Sequence, residues 1–211
     1  MKVLGQFFDA EDALSKDNFH ISMDLYNSET RWDLAFHDSE HASRRLEYPW
    51  VVQNVRNITG PILDAGCGET AIGLYLAANG HKVTAVDYYF PTVNKLEKII
   101  DEYGIKRYRA VYGDITNLTY EDNTFEVSYC VSVIEHLPVS SIPVAINGLL
   151  RVTRKKLLIT LDVMLESSDG FNITALAVFM EQFGIAITPP TTIFRIDNKP
   201  MGVYGIIFEK D

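Results

Sequence analysis

From Pro61 onward, short runs of β-branched and aromatic residues alternate with stretches whose apolar residues recur at helical spacing, which limits the fold more than any other feature. Strands are predicted at Pro61–Ala65, Lys82–Asp87, Tyr108–Tyr112, Phe125–Cys130 and Lys156–Leu161. The intervening Ala71–Asn79, Pro91–Tyr103 and Ile142–Val152 predict helices, with Gly80 and Gly104 as stop signals just beyond two of them. This is the pattern of an α/β, doubly wound, mostly parallel sheet. Near the end, "TALAVFMEQFG" reads as a helix, followed by "TTIFRIDNKPMGVYGIIFEK", two strand-like runs around a turn-rich Asp-Asn-Lys-Pro-Met-Gly. They lie too close for a crossover helix, so they predict a C-terminal antiparallel hairpin.

The first sixty residues lack a comparable strand pattern. They are rich in aromatic and ionisable groups and predict a mostly helical segment over the carboxyl edge of the sheet, with Pro49 as a kink or helix start. A chain of 211 residues suits one full-sized domain. The expected layout is a helical N-terminal segment, 1–58, covering the site, and a core over 59–211.

A formal charge of −9 works against non-specific attraction to nucleic acid, which needs phosphates neutralised by Lys and Arg. The short basic groups Arg44-Arg45 and 151–156 read as solvated faces. The two cysteines, Cys67 and Cys130, lack metal-type spacing and predict reduced thiols in a cytoplasmic setting. No secretory signal and no run of membrane-spanning length is present, so the Asn-X-Thr triplets at Asn57, Asn117 and Asn172 read as chance.

The stretch "ILDAGCGETAIG" runs from the first strand into a glycine loop, with Gly66, Gly68 and Ala71 matching a dinucleotide fingerprint. Yet Asp64 and Glu69 flank that loop. Fixed negative charge there repels a pyrophosphate and offsets the attraction of a helix N-terminus. S-adenosylmethionine carries no phosphate; its ammonium and sulfonium are cations, so a carboxylate beside the glycines becomes favourable. The glycines still serve, because backbone must approach the methionyl part closely. Further acids follow in strand order: Asp87 ends the second strand and can accept from ribose hydroxyls, Asp114 follows the third and can accept from an adenine amino group, and Glu135 with His136 follows the fourth.

With these motifs, "LDAGCG", the acid at Asp87, Gly113-Asp114, "VIEHLP" and the closing hairpin, the chain resembles the class I S-adenosylmethionine-dependent methyltransferases from about Arg44 to its end. The resemblance implies a seven-stranded Rossmann-like sheet whose last strand is antiparallel. It assigns Asp64, Gly66, Cys67 and Gly68 to the methionyl and loop contacts, Asp87 and Tyr88 to the ribose end, and Asp114 with Ile115 to adenine. It places the backbone of Cys130 against the cofactor. "RRLEYPWVVQNV" resembles an entry helix of small-molecule members in which an arginine reaches the cofactor carboxylate; Arg45 is the first candidate and Arg44 the next, with a surface salt bridge the alternative for either.

Methyl transfer from a sulfonium is an in-line displacement that relies on alignment and exclusion of water. Where the acceptor must lose a proton, His136 is the candidate base, unless it caps the helix that begins near Pro138. Trp32, His37, His41 and Tyr48 are candidates for the acceptor pocket; the i, i+4 histidine pair lacks a third ligand, so no metal is expected. "CVSV" departs from the Asn/Asp-Pro-Pro-aromatic pattern of enzymes that methylate base amino groups, and Cys130 lacks the Pro-Cys context of pyrimidine-carbon methylation. The expected activity is methylation of a small molecule or sugar-like metabolite on oxygen, or on nitrogen as second choice. The alternatives are a non-catalytic S-adenosylmethionine-binding module and, further off, a nucleotide-dependent oxidoreductase.

Overall fold

The structure is a computed structural model that describes residues 1–9, 16–32, 34, 43–166, 171–196 and 199–210. In chain order its elements are β1 (Lys2–Phe7), α1 (Lys16–Trp32), α2 (Arg44–Val55), β2 (Ile62–Ala65), α3 (Ile72–Ala78), β3 (Val83–Asp87), α4 (Phe90–Tyr103) and β4 (Tyr108–Tyr112). They continue with β5 (Phe125–Val131), α5 (Ile142–Val152), β6 (Thr153–Met164), α6 (Ile173–Glu181), β7 (Phe194–Ile196) and β8 (Lys199–Glu209). Seven strands lie abreast in the order β1-β8-β6-β5-β2-β3-β4, and β7 also pairs with β8. The run β6-β5-β2-β3-β4 is parallel, while β8 is antiparallel to β6, β1 and β7. Strand order reverses at β2, whose neighbours are β3 and β5, so the crevice at a doubly wound sheet's switch point opens at the carboxyl ends of these strands.

Alternation along the strands divides the interior into two layers. Ile62, Val83, Ala85, Val127, Tyr129 and Leu158 face a core built with residues of α1 to α4. Leu63, Ala65, Val86, Cys130, Leu157, Ile159 and Leu161 face the opposite core, under α5 and α6. β2 is buried along its whole length, as a parallel strand covered on both faces must be.

The predicted strands and helices are present within a few residues of their expected bounds; the largest extension is β6, which begins at Thr153 and runs to Met164. Two features differ. The N-terminal segment contains α1 and α2, but β1 precedes them and pairs with β8 over Lys2↔Glu209 to Phe7↔Tyr204. Its six residues carry a weak period-two signal broken by Gly5, and the exposed edge of β8 is what makes them a strand. At the hairpin, Lys199–Gly202, expected in the turn, belongs to β8, because pairing with β6 continues out to Met164↔Met201. Asp197 and Asn198 of that turn lie outside the described residues.

A Cβ at Gly5 would meet the buried Tyr204 hydroxyl and Met180 Cε, the latter at 2.8 Å. Gly5→Val is therefore expected to lower thermal stability by about 1–3 kcal/mol. An unchanged melting temperature would mean that β1 is not docked in this register.

Candidate active site

A cleft of about 430 Å³ opens at the switch point, lined by Arg44 and Tyr48 from α2, by Asp64 of β2 and Gly66, Cys67, Gly68, Thr70 and Ile72 beyond it, by Asp87 at the end of β3 and Tyr88, and by Val131 at the end of β5 with Ser132, Val133 and His136. Its geometry starts with register. Asp64 is paired with Tyr129 across β2 and β5, which puts both side chains on one face, and Tyr108 points to the same layer. On the other side the pairing partner is Ala85, too small to fill the space. Asp64 is only 3% exposed. Among the described residues its Oδ2 and the hydroxyls of Tyr108 and Tyr129 have no hydrogen bond of normal geometry. Burial, with Asp87 adding repulsion and Tyr129 offsetting part of it, pushes the Asp64 carboxyl up to about 7.

The loop backbone is bent to suit. Gly66 has φ +73°, and a Cβ there would lie 2.6 Å from Val133 Cγ2; Gly68 has φ +52°. Both are conformations that L side chains rarely adopt. Asp87 organises the rim: its Oδ2 accepts from Gly68 N–H at 2.9 Å and its Oδ1 from Tyr89 N–H at 2.8 Å. Each oxygen retains acceptor capacity toward the cleft. Gly73 on α3 lets the helix close over the buried group, since a Cβ there would lie 2.7 Å from both Asp64 Oδ2 and Tyr108 Cε2. Glu69, the other loop acid, turns away and pairs with Lys95 at 2.7 Å, so its charge is offset outside the cleft.

α2 supplies the cleft's positive charge, from Arg44 rather than Arg45. Arg45 is exposed, because one step along a helix turns a side chain by about 100°. Arg44 is held by Glu47 one turn on, Nη1 donating to Oε2 at 2.5 Å, and its Cζ lies 5.8 Å from the centre of the Tyr48 ring. His136 stands at the rim, partly open to solvent; lost hydration on its inner side and the charge of Arg44 lower its pKa, so the ring is neutral at pH 7. Below it, Glu135 Oε1 accepts from Asp162 N–H at 2.9 Å. Burial first, then mutual repulsion, pushes Glu135 up to about 8. Burial and the nearby Glu47 raise Asp162 to about 7, against the pull of Arg44.

The remaining candidates sit elsewhere. Asp114 is exposed and caps the turn Ile115–Asn117, its Oδ1 accepting from Thr116 N–H at 2.8 Å, while Ile115 is buried in the core under α5. Cys130 is buried on the α5 face, because alternation turns it away, and the cleft begins one residue later at Val131. Burial pushes both thiols up, so neither Cys67 nor Cys130 is a ready nucleophile. Trp32 packs in the core of α1 to α4 and does not line the cleft. His37 and His41 lie outside the described residues. No group of three metal-type ligands occurs among the described residues. Thr70, Ile72, Val131, Ser132 and Val133 had no chemical signature in the sequence; their place follows from the loops they belong to.

Because Asp64 holds its proton more tightly folded than unfolded, where its pKa is near 4, its effect is to make stability fall as pH rises from about 4 to 7. Asp64→Asn should flatten that fall and raise the melting temperature by about 2–8 °C at pH 8, with little change at pH 4. Equal effects at both pH values would place the carboxyl in a solvated setting.

Residues 62–156 match the family model described as "Methyltransferase domain". A 2-heptyl-1-hydroxyquinolin-4(1H)-one methyltransferase of Mycobacteroides abscessus is 36% identical over 83 residues, which are 39% of this chain and 36% of that protein. The chain spans about a third of the length of the curated relatives it matches. Among solved structures, the 1,6-didemethyltoxoflavin-N1-methyltransferase of Burkholderia thailandensis, with its substrate and S-adenosylhomocysteine bound, superposes with a TM-score of 0.60 at 16% identity, covering 97% of this chain and 94% of that one. The [4+2]-cyclase SpnF superposes at 0.63 and 15% identity, covering 92% and 96%. At such identities the likeness concerns the fold. Residues 62–156 are thus similar to the methyltransferase domain family, and the chain has the Rossmann-like fold seen in the solved methyltransferase it superposes on.

Proposed function

We propose that the protein binds S-adenosylmethionine and transfers its methyl group to an oxygen, or as second choice a nitrogen, of a small or sugar-like molecule in the cytoplasm. The observation that carries this reading is the buried Asp64 carboxyl with an unpartnered oxygen at a glycine loop, facing a cleft whose only lysine or arginine among the described lining residues is Arg44 on the far wall. That charge layout suits an α-amino acid: ammonium toward Asp64, carboxylate toward Arg44. It disfavours a pyrophosphate on the loop. Asp87 has the capacity to accept from the ribose hydroxyls, and the exposed Tyr88 ring offers a face at the same rim. Asp114 is set back from the cleft, so an adenine contact would involve the neighbouring backbone.

When bound, the cofactor supplies a methyl group on a positively charged sulfur. The chain's own part is to hold both ends of the amino acid, to exclude water with Tyr48, Val131 and Val133, and to accept the acceptor's proton on a ring nitrogen of His136. Neutrality of that ring at pH 7 favours this role. The activity of the M. abscessus relative, on a hydroxyquinolinone, favours a small-molecule acceptor. No helix among the described residues is long and apolar enough to cross a membrane. The likeness to a cyclase supports a second reading, in which the cofactor fold is used without methyl transfer.

S-adenosylhomocysteine is expected to raise the melting temperature by mass action, whereas a nicotinamide dinucleotide is not. Asp87→Ala should weaken the former by about tenfold or more, the equivalent of losing a charge-assisted hydrogen bond or two. Affinity should also rise with pH through about 7, as Asp64 gives up its proton to meet the ammonium. Stabilisation by the dinucleotide alone would overturn the reading. Across a panel of hydroxylated acceptors, His136→Ala should slow product formation by about 10²-fold with S-adenosylhomocysteine affinity kept; retained binding with no product from the unmodified protein would favour the second reading.

A further inference from the structure

Glu47 is fully buried, yet it does not line the cleft. Its carboxylate gathers donors from three places: Arg44 Nη1 at 2.5 Å on its own helix, Ser132 Oγ at 2.6 Å after β5, and Thr160 Oγ1 at 2.5 Å on β6. Two of these partners, Arg44 and Ser132, do line the cleft. Ser132 adopts φ +48°, unusual for a residue with a side chain, and its N–H donates to Thr160 O at 3.0 Å, so main chain and Glu47 together hold the bend in place. Packing alone does not call for a carboxylate here. Desolvating it costs several kcal/mol, and apolar residues of similar volume commonly serve a core as well or better. What a carboxylate adds is direction: it fixes one edge of the Arg44 guanidinium, while the Tyr48 ring lies close by.

We infer that Glu47 is a positioning residue that aims Arg44 across the cleft, so that recognition of the carboxylate at the amino-acid end of the ligand depends on a side chain the ligand never touches. This rests on the reading of the cleft as an S-adenosylmethionine site. Ser132 and Thr160 anchor Glu47 to the sheet, and through it α2 is locked to the residue after β5 and to the interior of β6. The discrimination between a carboxylate-bearing ligand and one without it then belongs to the Glu47–Arg44 pair as a unit.

The test is calorimetry with two ligands, S-adenosylhomocysteine and its analogue that keeps the amine and lacks the carboxylate. Glu47→Gln keeps the size and an oxygen for Ser132 and Thr160 but removes the charge that holds Arg44. It should weaken S-adenosylhomocysteine about tenfold and leave the analogue within about twofold. Arg44→Met should do the same, and the double variant should be no worse than Arg44→Met alone. If Glu47→Gln does not fold, Glu47→Asp, which keeps the charge and retracts it by one methylene, makes the same comparison with an intermediate loss expected. Equal weakening of both ligands would reduce Glu47 to structural support and overturn the inference, as would unchanged affinity for both. Binding of neither ligand by the unmodified protein would overturn the reading of the cleft itself, a distinguishable failure.

Discussion

A carboxyl group buried at the switch point of the sheet, with no lysine or arginine paired to it among the described residues, is the constraint from which the rest of the site follows. Keeping Asp64 out of water costs free energy unless the group is protonated or meets a cation, and among the described residues lining the cleft the one lysine or arginine is Arg44 of α2. Its place is set by strand register, opposite Tyr129 and beside the small Ala85. The helix that covers it can approach only because residue 73 has no side chain. The loop above it must bend through positive φ at Gly66, where Val133 leaves no room for a Cβ. An acid, two glycines and a tyrosine from four segments are thus parts of one arrangement, and its unfilled requirement is a positive charge.

The opposite wall is organised differently. There the positive charge, Arg44, comes with its own counter-ion, Glu47, and that counter-ion is hydrogen-bonded to hydroxyls on β5 and β6. One wall of the cleft has a charge awaiting a partner; the other has a charge already restrained. Glu135 and Asp162 share the burial of this region without lining the cleft, and their raised pKa values make the interior behind this wall less negative at neutral pH than two ionised carboxylates would. Local stability is given up on the side that binds, and ordering is concentrated on the side that aims.

The chain shares its fold with a [4+2]-cyclase as well as with methyltransferases, and a fold by itself does not fix the reaction. In this chain α2 and the segment after β5 contribute Arg44, Tyr48, Ser132, Val133 and His136 to the cleft lining.

Hydrophobic period and glycine placement are local properties, so the order of strands and helices from Pro61 onward, the antiparallel end, the glycine loop and the acids Asp64 and Asp87 at strand ends were legible in the amino-acid sequence alone. Whatever depends on which way a side chain turns was not. Arg44 and Arg45 are adjacent and chemically alike, and only the packing of α2 selects the first. The sequence shows Asp114 and Glu69 as loop acids, and only the fold adds that the first caps a turn and the second pairs with Lys95. β1 became a strand because β8 offers an open edge, and Glu47 became the hub of a buried network because Ser132 after β5 and Thr160 within β6 come to lie beside it. Segments far apart in the chain meet only once the sheet has formed, and it is that meeting, a long-range event without a local signature, that decides which charges face the ligand.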